Sequence, residues 1–413
     1  MKFKLLYAIF IIAILLYGSF RIADTSLTLR NLFALIMGFA CWMKTKKLYM
    51  DKYLLLYFIF VFFFGISSIA TGYVIDFLHE LIGFVFVAYI AYWATIIIIR
   101  KYNSLSILVY VIIGIGVFDS LVTVSQVFYI PFFDSLLKSL YLGVSNDVFI
   151  EKQLIERDLM GISIPGIFDT AVRNGHFLIL STLLSLYVQK NGFKLLGYLI
   201  TVVMLVGLFF CQQRAPFFIS GVLLIYVFYK LYGSGKSGVK KIILTGIIVT
   251  VLWGGVTTFM PMLLSGDFRF SEGLESSERR DIYTNTINWI LEHPLGGIFD
   301  VRKIVSPHNF FLNAFVYAGW LGGWFMVIDL FLQMLLLFKN LRVSDNNLKF
   351  STVVLISAYL GLTINSMVHN VSIVTGDALT WISWAAFYAN SSRWKTIPNR
   401  FVNLIRRPIL NAR

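Results

Sequence analysis

The chain has 413 residues, of which 58% are hydrophobic and 17% aromatic, while only 14% are charged. A soluble domain carries roughly a quarter charged residues, so a soluble globular fold is excluded. The net charge of +14 invites a nucleic-acid partner, but none is expected, because the basic excess follows membrane topology.

Apolar blocks predict spans near residues 5–20, 27–43, 53–70, 81–99, 105–124, 172–189, 195–211, 215–232, 242–260, 308–338, 350–368 and 373–390. Such lengths fit a bilayer's hydrocarbon core as helices; a transmembrane barrel would show shorter, alternating segments. The expected fold class is all-α, a polytopic integral membrane protein of about 12 transmembrane helices. Residues 1–413 are expected to form a single transmembrane domain. The first block, opened by Lys2 and Lys4, resembles a signal peptide. No small-residue cleavage site follows Tyr17-Gly18-Ser19-Phe20-Arg21, so it is expected to stay as the first span. The tenth block is long enough to tilt or break, and Gly319, Gly322 and Gly323 mark the place for a bend.

Cytoplasmic loops collect Lys and Arg. An even number of spans with both termini cytoplasmic places 23 of the 35 basic residues on that side. Two long connections, residues 125–171 and 261–307, then face the periplasm. In the first, Phe133, Leu136, Leu137, Leu140 and Tyr141 recur at helical spacing, which suits an interfacial helix. In the second, Ile282, Tyr283, Ile287, Ile290 and Leu291 predict an amphipathic helix ending at His293-Pro294. Two ordered loops on the outer side suit an enzyme that works there.

The five histidines, at 79, 176, 293, 308 and 369, show no ligand spacing, so neither a metal nor a cofactor is expected. Cys41 and Cys211 fall in or at the end of spans and predict no disulfide framework. Gly235-Lys236-Ser237 is similar to the end of a phosphate loop, but Lys230 stands where its first glycine belongs. Without a nucleotide motif, the energy for a reaction must come from the substrate.

Three segments have the chemistry for an anionic substrate. Cys211-Gln212-Gln213-Arg214-Ala215-Pro216 joins two spans on the outer face, with Arg214 beside a helix N-terminus that favours anions. The alternative for Arg214 is a snorkelling interface arginine. Ser306-Pro307-His308-Asn309 opens the tenth span, where a helix N-terminus favours a neutral imidazole able to accept a proton. The alternative is an interface histidine bonded to backbone. Arg279 and Arg280 open the amphipathic segment, and adjacent helical residues do not share a face, so one of the pair suffices for a site. Their alternative is a solvated pair neutralised by Glu278 or Asp281. Two arginine sites and a histidine at one membrane depth suit a lipid-linked phosphate or pyrophosphate, because guanidinium forks match phosphate oxygens. The neutral histidine would then deprotonate an attacking sugar hydroxyl.

The motifs Gln213-Arg214, Arg279-x-x-Ile282-Tyr283 with Glu292-His293-Pro294-Leu295-Gly296-Gly297, and His308-Asn309-Phe310-Phe311-Leu312 with Gly319 and Gly322-Gly323 carry a family resemblance. Gly166-Ile167-Phe168 with Asn174-Gly175 adds to it. In its second half the chain resembles the O-antigen ligase/polymerase family of bacterial multispan membrane glycosyltransferases. The resemblance implies a metal-independent, inverting transferase of the bacterial inner membrane that uses undecaprenyl-pyrophosphate-linked oligosaccharides. It implies that Arg214 and Arg279 bind the pyrophosphate and that His308 is the base. Arg280 is a further candidate for the pyrophosphate, and Arg173, Asn309 and His369 are candidate lining residues. A polymerase is the leading expectation and the ligase to lipid A–core its alternative; a chain-length regulator protein is a candidate partner. A lipid-linked oligosaccharide flippase is the rival from another class, favoured if Asp119, Asp329 and Asp377 line one cavity.

Overall fold

The structure is a computed structural model that describes residues 2–16, 29–128, 164–168, 170–190, 194–232, 276–297, 309–341, 346–368 and 376–391, with single positions at 130, 132 and 246. Among the described residues all regular structure is helical. The chain begins with α1 (Lys2–Leu16), α2 (Leu29–Thr45), α3 (Lys52–Ala70) and α4 (Val74–Glu80). A single π-turn, Leu81–Val85, leads into α5 (Phe86–Arg100), followed by α6 (Leu105–Val127). Then come α7 (Ala171–Lys190), α8 (Lys194–Phe210), α9 (Arg214–Tyr232) and α10 (Ser276–Glu292). The last are α11 (Phe310–Asn340), α12 (Asn346–Ser366) and α13 (Ala378–Asn390).

Four described stretches are long and apolar enough to cross a membrane: Lys52–Ala70, Val74–Arg100, Leu105–Val127 and Phe310–Asn340. Shorter apolar helices stand at Leu195–Phe210, Ala215–Lys230 and Phe350–Ser366. Large apolar side chains such as Phe39, Phe62, Ile75, Leu195 and Val222 are exposed. Water would penalise that surface, whereas a lipid surround suits it. The long apolar helices and their apolar exterior are those of a multi-pass membrane protein.

The span expected from residue 81 starts earlier, at Val74, because Asp76, His79 and Glu80 interrupt the apolar run without ending the helix. The span expected at 242–260 lies outside the described residues except for Gly246, as does the interfacial helix expected at 133–141. Both cysteines are free and buried.

Between helices in lipid the attraction is packing and hydrogen bonding rather than exclusion of water. Helix α5 is buried on every side from Ile90 to Ile99 and packs against α2 and α13. Aromatic rings close the space among α3, α5, α12 and α13. Tyr53 meets Trp384 edge-on at 5.0 Å, Tyr57 lies 4.6 Å from Trp381, and Tyr92 meets Trp381 edge-on at 5.6 Å. Small residues bring the neighbours of α7 close: a Cβ on Gly116 would lie 2.6 Å from Ser181 Cβ, and one on Gly207 would lie 2.5 Å from Ser120 Oγ. Helix α7 is thereby held by α6, α8, α9 and α12.

One half-buried carboxylate fixes the start of α3. Asp51 Oδ1 accepts the backbone N–H groups of Tyr53 and Leu54, both at 3.0 Å, and Oδ2 accepts the Tyr92 hydroxyl at 2.6 Å. Burial pushes this carboxyl above its usual range, against the pull of those hydrogen bonds. The folded state therefore favours the protonated acid. Its contribution to stability is full below the unfolded value of about 3.9 and shrinks as pH climbs through the raised folded value. Asp51→Asn should flatten that pH dependence in thermal unfolding of the detergent-solubilised chain. Asp51→Ala loses the cap and should cost about 1 kcal/mol, plus roughly 1–3 kcal/mol for the unpaired Tyr92 hydroxyl. An Ala variant as stable as the wild type would remove Asp51 from this role.

Candidate functional site

Several stretches of irregular backbone meet at one end of the bundle, and hydrogen bonds fasten each of them. The first joint docks residues 164–168 onto α6 and the start of α7. The Gln126 amide donates to the Gly166 carbonyl at 3.0 Å, and the Gly166 N–H donates back to Gln126 Oε1 at 2.9 Å. The Ile167 N–H donates to Asp119 Oδ1 at 3.0 Å. Asn174 Nδ2 donates to Thr123 Oγ1 and to the Ile164 carbonyl, each at 3.0 Å. Gly166 is required here: its φ is +60°, and a Cβ would lie 2.2 Å from Asp119 Oδ1.

The same joint holds the turn that carries Arg214. The Cys211 thiol donates to the Ala171 carbonyl at 3.2 Å, and the Ile164 N–H donates to the Cys211 carbonyl at 3.4 Å. A Cβ on Gly175 would lie 2.7 Å from Pro216 Cγ, so the first turn of α9 sits directly on α7. Arg214 is the first residue of α9; its side chain lies outside the description. Arg173 stands in the first turn of α7, half-buried, with its backbone N–H donating to Thr170 Oγ1 at 3.3 Å.

The second joint binds α10 to α11. Helix α11 breaks at Gly319, whose φ of 65° and ψ of −170° are not helical. The bend expected among its three glycines therefore falls at the first. The break leaves a carbonyl and an N–H without helical partners, and the turn after α10 supplies them. Gly297 N–H donates to the Val316 carbonyl at 2.9 Å, and Trp320 N–H donates to the Pro294 carbonyl at 2.9 Å. The Trp320 indole also donates to the Ile290 carbonyl at 3.0 Å. An apolar cavity of about 220 Å³ opens between the two helices, lined by Ile287, Leu291, Leu312, Phe315 and Trp324 among others. Arg279 and Arg280 belong to the first turns of α10, at the opposite end of the helix from this joint; their side chains are not described.

The third joint caps α11. Asn309 Oδ1 accepts the N–H groups of Phe311 at 2.9 Å and Leu312 at 3.2 Å, while its Nδ2 donates to the Met367 carbonyl at 3.2 Å. The cap thus fastens the start of α11 to the end of α12. His308 and His369 lie outside the described residues. Their chain neighbours Asn309 and Val368 flank this link.

A fourth cluster was not singled out in sequence. His176 of α7, fully buried, brings its Nε2 to 3.1 Å from Asp377 Oδ2 and its Nδ1 to 3.0 Å from Asn365 Nδ2. Asp377 caps α13: its Oδ2 also accepts the Thr380 N–H at 2.8 Å and the Thr380 hydroxyl at 2.5 Å. A histidine within an apolar helix is costly unless paired, and that cost is the one sequence signal for this cluster. The acids invoked for a flippase sit in separate networks: Asp119 with Ile167, Asp329 with Gln333, and Asp377 with His176.

These joints place the N-termini of α7, α9, α11 and α13 at the same end of the bundle. The C-terminal ends of α6, α8 and α12 lie there too, so the partial charges of helix N- and C-termini largely offset one another at this end.

Residues 199–327 match the family model described as O-antigen ligase, and this match supports the O-antigen ligase/polymerase family for the chain. No curated protein and no solved structure matches it.

The α10–α11 joint can be tested through Gly319. A Cβ there would lie 2.5 Å from the Pro294 carbonyl oxygen, and its backbone, φ 65° with ψ −170°, lies in an essentially glycine-only region that costs a side chain about 1–3 kcal/mol by itself. Gly319→Ala should lower the thermal midpoint and speed proteolysis within residues 276–297. Unchanged stability and protection would show that the turn does not depend on this break.

Proposed function

We propose that the chain is an O-antigen polymerase of the bacterial inner membrane. It moves a growing glycan from undecaprenyl pyrophosphate to the terminal sugar of an incoming lipid-linked repeat at the periplasmic face. The observation that carries this reading is that Arg214, Arg279 and His308 all fall within the stretch matching the O-antigen ligase family. In this scheme both chain termini are cytoplasmic, and the joints described above face outward.

The reaction follows from the chemistry of these residues. A hydroxyl of the acceptor sugar attacks the anomeric carbon of the donor. The bond from that carbon to the pyrophosphate oxygen breaks, and undecaprenyl pyrophosphate leaves with the electron pair. Arg214 and Arg279, with Arg280 as a further candidate, neutralise the charge that builds on the leaving group. His308 takes the proton from the attacking hydroxyl. Arg173, Asn309 and His369 would line the space around the sugars, and neither a metal nor a cofactor takes part. A protein that regulates chain length would act as partner to such a polymerase.

A second reading is the ligase that delivers the finished glycan to lipid A–core, which the family match supports equally. The two share the donor chemistry and differ in the acceptor. Deleting the gene separates them by the surface glycan: core bearing one repeat means polymerase, and bare core with accumulated lipid-linked polymer means ligase. Repeats trapped in the inner leaflet would mean a flippase.

His308→Ala should lower transfer by about 100- to 10,000-fold while leaving expression and membrane insertion intact; near-normal turnover would remove it as base. Arg214→Lys keeps the charge but loses the fork, and turnover should fall roughly 10- to 100-fold. Wild-type kinetics in that variant would favour a snorkelling arginine. Chelator should leave the purified enzyme active, and inhibition that added metal reverses would contradict the scheme.

A further inference from the structure

His176 has no ring edge left for a substrate. It is fully buried, and each of its nitrogens faces a side chain, Nε2 toward Asp377 and Nδ1 toward Asn365. With the Asn365 amide donating to Nδ1, the ring proton sits on Nε2 and points at the carboxylate. Asp377 Oδ2 is engaged as well, by His176, the Thr380 hydroxyl and the Thr380 N–H. Such a ring can orient its neighbours, but it cannot exchange a proton with a bound sugar.

What it orients follows from the chain positions of its partners. Gly175, the residue before His176, is the one that packs on Pro216, two residues beyond Arg214. Asn365 lies two residues before Met367, whose carbonyl holds the Asn309 side chain beside His308. Asp377 follows Gly376, where a Cβ would lie 2.8 Å from the Phe84 carbonyl carbon, so this cap is seated against the π-turn ahead of α5. One imidazole therefore joins α7, α12 and α13 at the level where the candidate residues enter.

We propose that His176 and Asp377 are positioning residues that hold the end of α12, and through Asn309 the start of α11, in register with the Arg214 turn on α7. The inference rests on the transferase reading above. In it, His308 must meet the acceptor hydroxyl at a fixed distance from the arginine-held pyrophosphate. Loosening the imidazole leaves the arginines able to bind while the base drifts. A misplacement of about 1 Å can cost roughly 100-fold in rate.

The test uses the full chain, purified, with a synthetic polyprenyl-diphosphate glycan as donor. His176→Gln and Asp377→Asn should each lower kcat by about 10- to 100-fold, with donor KM changed less than about twofold. Asn309→Ala should lower kcat similarly. If His176 acts through Asn309, the double variant His176→Gln/Asn309→Ala should lose little more than either single, because one chain of contacts is broken only once. Losses that multiply, or a fall in thermal stability with unchanged kcat, would reduce the couple to a fold-stabilising contact and overturn the proposal. Asp377→Asn keeps an acceptor oxygen for the Thr380 N–H, so it carries the test if His176→Gln does not insert. A wild-type chain that transfers nothing from the donor would remove the transferase reading itself. Active wild type beside fully active His176→Gln and Asp377→Asn would remove the positioning role alone.

Discussion

Inside a bilayer an unpaired backbone group finds no water, so irregular backbone persists only where the protein supplies its partners. That constraint shapes the functional end of this molecule. The break at Gly319 exists because the turn at Pro294–Gly297 takes up the carbonyl of Val316 and the N–H of Trp320. The Gly166 segment exists because the Gln126 amide answers both its N–H and its carbonyl. Asn309 caps α11 and reaches the last turn of α12 with the same side chain. Each departure from helix is therefore also a clamp between helices.

These clamps explain how a site can be assembled from residues far apart in sequence. Arg214 rides on the turn pinned to α7, Arg279 on a helix pinned to α11, and Asn309 on a cap pinned to α12. The imidazole of His176 crosses among α7, α12 and α13. Helix N-termini and helix C-termini meet at this end, so the charge of a site there has to come from side chains rather than from helix dipoles.

Most of the helices were legible because hydropathy alone sets where a chain crosses lipid. The blocks at 53–70, 105–124 and 195–211 reappear within a few residues as α3, α6 and α8. The start at Val74 was missed because hydropathy averages over Asp76, His79 and Glu80, while backbone hydrogen bonds run through them. The break in α11 was foreseen because glycine is the residue that tolerates positive φ. Which glycine broke could not be foreseen, because the choice depends on where the α10 turn docks. The His176–Asp377 couple was invisible for a related reason: 201 residues separate the partners, and only tertiary packing brings them together. Arg214, Arg279 and His308 were legible from their places at helix starts on the expected outer face, and the resemblance supplied their roles.

The central claim is that this end of the bundle holds a diphosphate between two arginines while His308 faces the acceptor. An experimental structure of the full chain with an undecaprenyl-pyrophosphate analogue bound tests it most directly. The predicted result has diphosphate oxygens within hydrogen-bond reach of both Arg214 and Arg279, with the His308 ring on the side the acceptor enters. A diphosphate bound elsewhere, or arginines turned toward opposite faces of the membrane, would contradict it.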